Sequence, residues 1–230
     1  HAAWLFDDVP DVERFIEEHD AYSELLQEHG VQVHYLSDHV EDVDRKARRM
    51  PNLAYLHDVA VISSRGAILS AMAWAARKDE HLLVREALDG LGVPILYEFD
   101  EPDDAFEGCL QVSPEILLIA ETERHSRRSI GKFIPKALTA YKEVLHVIVP
   151  RARRYMHPDT IFNRVDVGLA LAYLPAFKQT FLHTRGGCCE VDVEHYLRSR
   201  RIRVINVSEE EQRRLACTFV PLEPGVMLHY

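Results

Sequence analysis

Four cysteines in 230 residues, none spaced as C-x-x-C, are too few for a disulfide framework. They fit reduced thiols and a cytoplasmic setting. Positive charge is also in deficit: 27 Lys and Arg stand against 37 Asp and Glu, a net charge of -10. The Arg-rich stretches RARRYMH and RSRRIRV never grow into a longer basic block, so nucleic acid is excluded as the expected partner. No apolar run nears the length that spans a bilayer, and the opening HAAWLFDD lacks the basic-then-apolar form of a secretion signal. No membrane partner is expected. The 13 histidines scatter without H-x-x-x-H or H-E-x-x-H spacing, so no metal or other cofactor is expected. Gly/Ser-rich and low-complexity stretches are missing too, and the linkers are short, which reads as one domain over residues 1–230.

What is present is the composition of a globule with a sizeable core, 47% hydrophobic and 28% charged. Residues 11–29 space Val12, Phe15, Ile16, Tyr22, Leu25 and Leu26 along one helix face, with Pro10 before and Gly30 after. The alternating run VQVHYL predicts a strand after it. The same order returns: DEHLLVREALDGLG leads into VPILYE, SRRSIGKFIPKALTAYK into VLHVIV, and VDVEHYLRSRR into IRVINV. Further strand-like runs, VAVISSRGAILS and ILLIAET, precede the helices. The repeating unit is therefore strand, strand, helix, strand. One such unit cannot bury its helix face alone. A doubly wound sheet would account for the alternation, but the repetition favours units arranged about a common centre.

Three segments carry candidate chemistry. PNLAYLHD ends in Asp58 just before an apolar run, either as a turn residue or as a ligand-facing carboxylate. In AFEGCLQV, Glu107 precedes Gly108 at a predicted strand edge, where glycine permits close backbone approach and the Glu is otherwise a solvated one. In YMHPDTIFNRVD, His157 and Asp159 stand two apart, which on a strand directs both to one face. Such a pair is either a structural hydrogen bond or a titratable group held by its partner for acid–base work. Cys188 and Cys189, after two glycines and before a helix, could form an activated thiol; two small buried turn residues are the preferred reading.

Together these segments resemble the arginine deiminase family of guanidino-group-modifying enzymes. LFDDVPDVERFIEEHDAY is similar to its F-D-D-[IV]-P and E-H-D-x-[FY] segments, PNLAYLHD to P-N-L-x-F-T-R-D, and AARKDE to A-R-x-x-E. EGCL stands at E-G-G-D, ETERHSRRSI resembles S-E-R-T-S-x-x-[AS]-I, and YMHPDTIFNRVD resembles M-H-L-D-T-V-F-x-x-V-D. The resemblance implies the pentein fold, an α/β propeller of strand-strand-helix-strand modules around a central site. Only HVEDVDRKARRM separates VHYLSD from PNLAYL, so the short form without the helical insertion is the nearer likeness.

The resemblance also implies roles. Asp58 and Asp159 would grip a guanidinium, His157 and Glu107 would move protons, and Asn52, Arg77 and Arg124 would bind the amino-acid end of the substrate. The implied activity is hydrolysis of arginine to citrulline and ammonia through a covalent cysteine intermediate. An amidinotransferase, or a guanidino-binding scaffold without turnover, is the alternative, and a homo-oligomer is left open. Three departures stand out: Cys109 and Leu110 replace the second Gly and the Asp of E-G-G-D, His57 replaces an Arg, and Pro158 a Leu. The family's C-terminal Gly-rich cysteine motif has no counterpart, and Cys217 stands where the family has Gly-Thr-Asn. The expected chain is thus one with its first and last modules incomplete.

Overall fold

The computed structural model describes residues 6–99 and 101–229; His1–Leu5, which include the start of the LFDDVP segment, lie outside them. Three sheets each contain the predicted unit. The first has β1 (Ala60–Ser63) and β2 (Gly66–Leu69) as an antiparallel hairpin, then α3 (Glu80–Gly90) and β3 (Ile95–Tyr97) parallel to β2. In the second, β4 (Leu110–Ser113) pairs antiparallel with β5 (Ile116–Glu121), and α4 (Arg127–Ala140) crosses to β6 (Glu143–Ile148), parallel to β5. In the third, β7 (Phe162–Asp166) and β8 (Leu169–Ala172) are followed by α5 (Val193–Ser199) and β11 (Arg203–Asn206), parallel to β8. A last hairpin joins β12 (Val220–Glu223) to β13 (Val226–Leu228). Short helices α2 (Val43–Ala47) and α6 (Glu209–Arg213) complete the described elements, with α1 (Val12–Glu28) at the front.

The third unit is interrupted. Between β8 and α5 the chain forms β9 (Gln179–Thr184) and β10 (Gly187–Glu190), and this hairpin leaves its own unit to extend the second sheet, in the order β10-β9-β6-β5-β4. That sheet is the centre of the molecule. Every residue of β5 is buried, as its unbroken apolar run ILLIA requires of a strand covered on both faces. Leu117 and Ile119 meet Ile130 and Phe133 of α4, while Leu118 and Ala120 face Leu145, Phe162 and Ala170 on the other side. Each fully buried Leu or Ile here contributes about 1.5–3 kcal/mol. Gly66, at φ +135°, lets the β2 backbone approach Pro94, whose carbonyl oxygen would lie 2.3 Å from any added Cβ.

Two expectations are corrected at the front of the chain. VQVHYL forms no strand: residues 31–35 are irregular and Leu36–Asp38 is a 3-10 turn. The apolar face of α1 is also not packed. Val12, Ile16 and Phe15 remain 63%, 54% and 39% exposed, and Ser23 is the one buried residue of the helix. Periodicity reports that a helix has an apolar side and not that the side finds a partner. Among the described residues, no helix is long and apolar enough to cross a membrane.

Candidate active site

The polar residues of interest all lie on connections at the ends of strands. Asn52 and Asp58, both buried, belong to a 3-10 segment over Pro51–Asp58 that kinks at Tyr55 and delivers the chain into β1. The backbone carbonyl of Asp58 accepts from Ser70 Oγ (2.7 Å) and from the Gly108 amide (3.3 Å), tying this turn to the first two sheets. Arg77 ends a 3-10 turn over Ala75–Arg77, and Glu80 opens α3. Glu107 stands just before β4, after the bridge between Ala71 and Phe106. Arg124 lies between β5 and α4, whose N-cap Ser126 accepts from the Ser129 amide.

His157 and Asp159 do not share a strand face as expected. His157 is extended (φ -130°, ψ 157°), the conformation that a following proline imposes, and Pro158–Thr160 then forms a 3-10 turn. Thr160 Oγ1 closes that turn by donating to the His157 carbonyl (2.6 Å), and Thr122 Oγ1 ties it to the α4 connection through the Met156 carbonyl (2.8 Å).

These connections bring six side chains into one buried line of alternating charge. Arg77 donates from Nε to Glu80 Oε2 (2.9 Å) and from Nη1 to Asp58 Oδ2 (2.7 Å), with Nη2 also in ion-pair contact with Glu80 Oε2 at 2.9 Å. Asp58 Oδ1 lies 3.2 Å from His157 Nδ1, and His157 Nε2 lies 3.7 Å from Glu107 Oε1. Glu107 Oε1 accepts from Arg124 Nη1 (2.9 Å), and Arg124 also reaches Met156 Sδ (3.4 Å) and lies over the Trp74 ring. Glu80 and Glu107 are both fully buried, which overturns the solvated reading of Glu107. Asp58 is buried in an ion pair and is more than a turn residue.

Burial works against the charge on each group, and the neighbours decide the outcome. Burial pushes the His157 imidazole down, but Asp58 and Glu107, with Asp159, outweigh it and raise its pKa above the ordinary value. Burial likewise pushes Glu107 up, but His157 and Arg124 bring it below the usual carboxylate range. Glu80 goes the other way, raised by burial to about 7 against the pull of Arg77. Asp159, half-buried, is raised by burial and lowered by His157 and His57. His125, behind Glu107 and edge-on to Phe106, is driven by burial to about 3 and is neutral.

Gly108 is part of the geometry. At φ +69° it turns the chain beside Glu107, and a Cβ there would come within 2.9 Å of His157 Cδ2. Two buried acceptors, Glu107 Oε2 and Glu80 Oε1, and His157 Nε2 have no hydrogen-bond partner among the described residues. Such groups are costly to leave unmade unless a ligand or water completes them.

The structure thus unites Asp58, Arg77, Glu107, Arg124 and His157, with Asp159 within electrostatic reach. Asn52 shares the Asp58 turn. Glu80 was missed as a site residue, although its i,i+3 spacing from Arg77 at a helix start is a readable signal. Cys109 and Cys217 are buried, and burial pushes their thiols well up, that of Cys217 to about 12. Cys188 and Cys189 are not buried turn residues but exposed members of β10, with Cys188 Sγ 3.7 Å from His183 Nε2.

The arrangement is that of the pentein fold, with a histidine held between carboxylates at the ends of repeated strand-strand-helix-strand units. A profile of the arginine deiminase family matches residues 3–50 and 44–230, and the chain belongs to that family. An arginine deiminase of Staphylococcus aureus (strain MRSA252) is 23% identical over 242 aligned residues, covering 70% of this chain and 59% of its own. One from Staphylococcus haemolyticus is 28% identical over 141, covering 56% and 34%. The chain therefore spans less than two thirds of these curated relatives.

Among solved structures, unliganded AgrE superposes with a TM-score of 0.72 at 20% identity, over 96% of this chain and 30% of that one. The substrate-bound N-terminal domain of ArgZ, a cyanobacterial arginine dihydrolase, gives 0.58 at 21% over 76% and 60%. A dimethylarginine dimethylaminohydrolase adduct gives 0.66 at 16% over 96% and 77%.

Proposed function

We propose that this chain carries the guanidino-binding and proton-transfer half of a hydrolase that converts arginine to citrulline and ammonia. The observation that carries the reading is the charge of the site: four carboxylates (Asp58, Glu80, Glu107, Asp159) surround two guanidiniums and one imidazole. A buried site with that balance favours a cationic ligand over a neutral urea, which favours guanidinium binding and product release.

Asp58 and Asp159 hold the guanidinium through charge-assisted hydrogen bonds. A cysteine thiolate adds to the guanidinium carbon, and His157, whose pKa Asp58 and Glu107 raise against burial, gives its proton to the departing ammonia. His157 then takes a proton from water as it adds to the amidino-thioether, and the thiol leaves with the urea group formed. Arg77 and Arg124 carry the positive charge for the substrate carboxylate, and Asn52 supports that end. Burial holds the thiols of Cys109, Cys188 and Cys217 toward the neutral form, so the proposal assigns the attacking thiolate to none of these three.

Binding without turnover is the second reading, favoured by the raised thiols of Cys109, Cys188 and Cys217. Calorimetric titration with arginine and a citrulline assay on the gene's whole product separate the two. Binding with citrulline release supports the hydrolase, and binding alone supports the second reading. No arginine binding at all sinks both.

A further inference from the structure

Arg77 bridges two carboxylates that belong to different elements. Its Nε donates to one oxygen of Glu80 at 2.9 Å and its Nη2 lies at the same distance from that oxygen, while Nη1 alone reaches Asp58 at 2.7 Å. Nη2 also reaches the Tyr55 carbonyl at 3.3 Å. The other oxygen of Asp58 faces His157 Nδ1. In this state Asp58 has both oxygens occupied, one of them by the protein's own guanidinium. A guanidino ligand that uses Asp58 must therefore displace Arg77 Nη1.

Displacing an arginine from a buried ion pair is costly when the charge is left without a partner. Glu80 removes that cost here. It is fully buried, and its Oε1 has no hydrogen-bond partner among the described residues. A small rotation of the Arg77 guanidinium would turn Nη2 from its ion-pair contact with Oε2 onto Oε1 while Nε keeps Oε2. The shared single-oxygen contact then becomes a fork, the stronger geometry for arginine and carboxylate. The donor released by that rotation is Nη1.

We propose that Glu80 is a positioning residue: it takes over the Arg77 guanidinium so that Asp58 can pass to a guanidino ligand, leaving Nη1 to meet the ligand's carboxylate. The inference rests on the guanidino reading of the site and adds to it a residue that never touches the ligand. Without the Glu80 charge, Asp58 is the remaining anion for Arg77 and keeps it.

The test is calorimetric titration of the unsubstituted chain, of Glu80→Gln and of Glu80→Gln with Arg77→Met, using arginine and agmatine, which lacks the carboxylate. Glu80→Gln is expected to weaken both ligands about tenfold or more, the worth of one charge-assisted hydrogen bond. Adding Arg77→Met is expected to restore agmatine and not arginine, because Asp58 is then free but the carboxylate has lost its donor. A purely structural role for Glu80 predicts no such recovery. Circular dichroism checks the fold; if Glu80→Gln does not fold, Glu80→Asp replaces it, with a loss of about threefold for both ligands expected. Unchanged affinities in a folded variant, or no recovery of agmatine, overturn the role of Glu80 while leaving the guanidino reading standing. An unsubstituted chain that binds neither ligand overturns both.

Discussion

Asp58 and His157, from the first and third strand-strand-helix-strand units, meet with Oδ1 3.2 Å from Nδ1 while the other Asp58 oxygen holds Arg77. One carboxylate thus compensates two buried cationic groups. Asp58→Asn should leave Arg77 without that charge and His157 with a weaker partner, destabilising the chain by about 3–5 kcal/mol. Urea unfolding compared with the unsubstituted chain measures this, and a loss below about 1 kcal/mol would contradict the pairing.

Gly108→Ala tests the approach of backbone to imidazole. The position has φ +69°, and the new Cβ would press on His157 Cδ2. A strained backbone of this kind costs about 1–3 kcal/mol. Arginine affinity should fall as well, because the ring has to move. Thermal unfolding and calorimetry read the two effects separately, and Gly225→Ala, also at positive φ but with open space around it, should leave ligand binding unchanged.

The pH dependence has a definite sign. His157 has a folded pKa raised above its ordinary 6.5, so its stabilising contribution is complete below that value and is lost as pH rises through the folded pKa. Glu107 has a folded pKa lowered from 4.5, so its contribution is present above that value and disappears as pH falls through the folded pKa. Glu80, raised from 4.5 to about 7, costs stability progressively as pH climbs between those values. The urea midpoint should therefore fall at both extremes. His157→Gln should remove the His157 part of the alkaline loss, and Glu80→Gln should flatten the slope between pH 4.5 and about 7. A His157 side-chain NMR titration with a midpoint below 6.5 would contradict the geometry.

Two apolar truncations should differ sharply. Leu118, fully buried in β5, should cost about 2–5 kcal/mol on replacement by Ala. Ile16, 54% exposed on α1, should cost less than about 0.5 kcal/mol. Equal effects would mean that the apolar face of α1 is covered in solution.

The thiols should divide by exposure. A thiol-reactive dye at neutral pH should label Cys188 and Cys189 in the folded chain, and Cys109 and Cys217 only after denaturation. Peptide mapping of the labelled sites decides it.

Much of this was legible in the order of residues. The strand-like run ILLIAET became β5, and the helices at 80–90, 127–140 and 193–199 lie within the recurring helix-then-strand stretches DEHLLVREALDGLG, SRRSIGKFIPKALTAYK and VDVEHYLRSRR. The recurrence of strand, strand, helix, strand and the family motifs pointed to the pentein architecture, and Asp58, Glu107 and His157 could be singled out from local context. Those features depend on neighbours within a few positions, where side-chain period and turn chemistry act.

What only the tertiary structure decided depends on contacts between distant segments. It paired Arg77 and Arg124 with Asp58 and Glu107, it made Glu80 a buried partner, and it moved the β9–β10 hairpin onto the second sheet. It also left VQVHYL without strand pairing and the α1 face without cover. A strand needs a neighbouring edge for its backbone hydrogen bonds, an apolar face needs a facing surface, and a buried charge needs a counter-charge. Local sequence can state each of these requirements, but only the assembled fold supplies the partner.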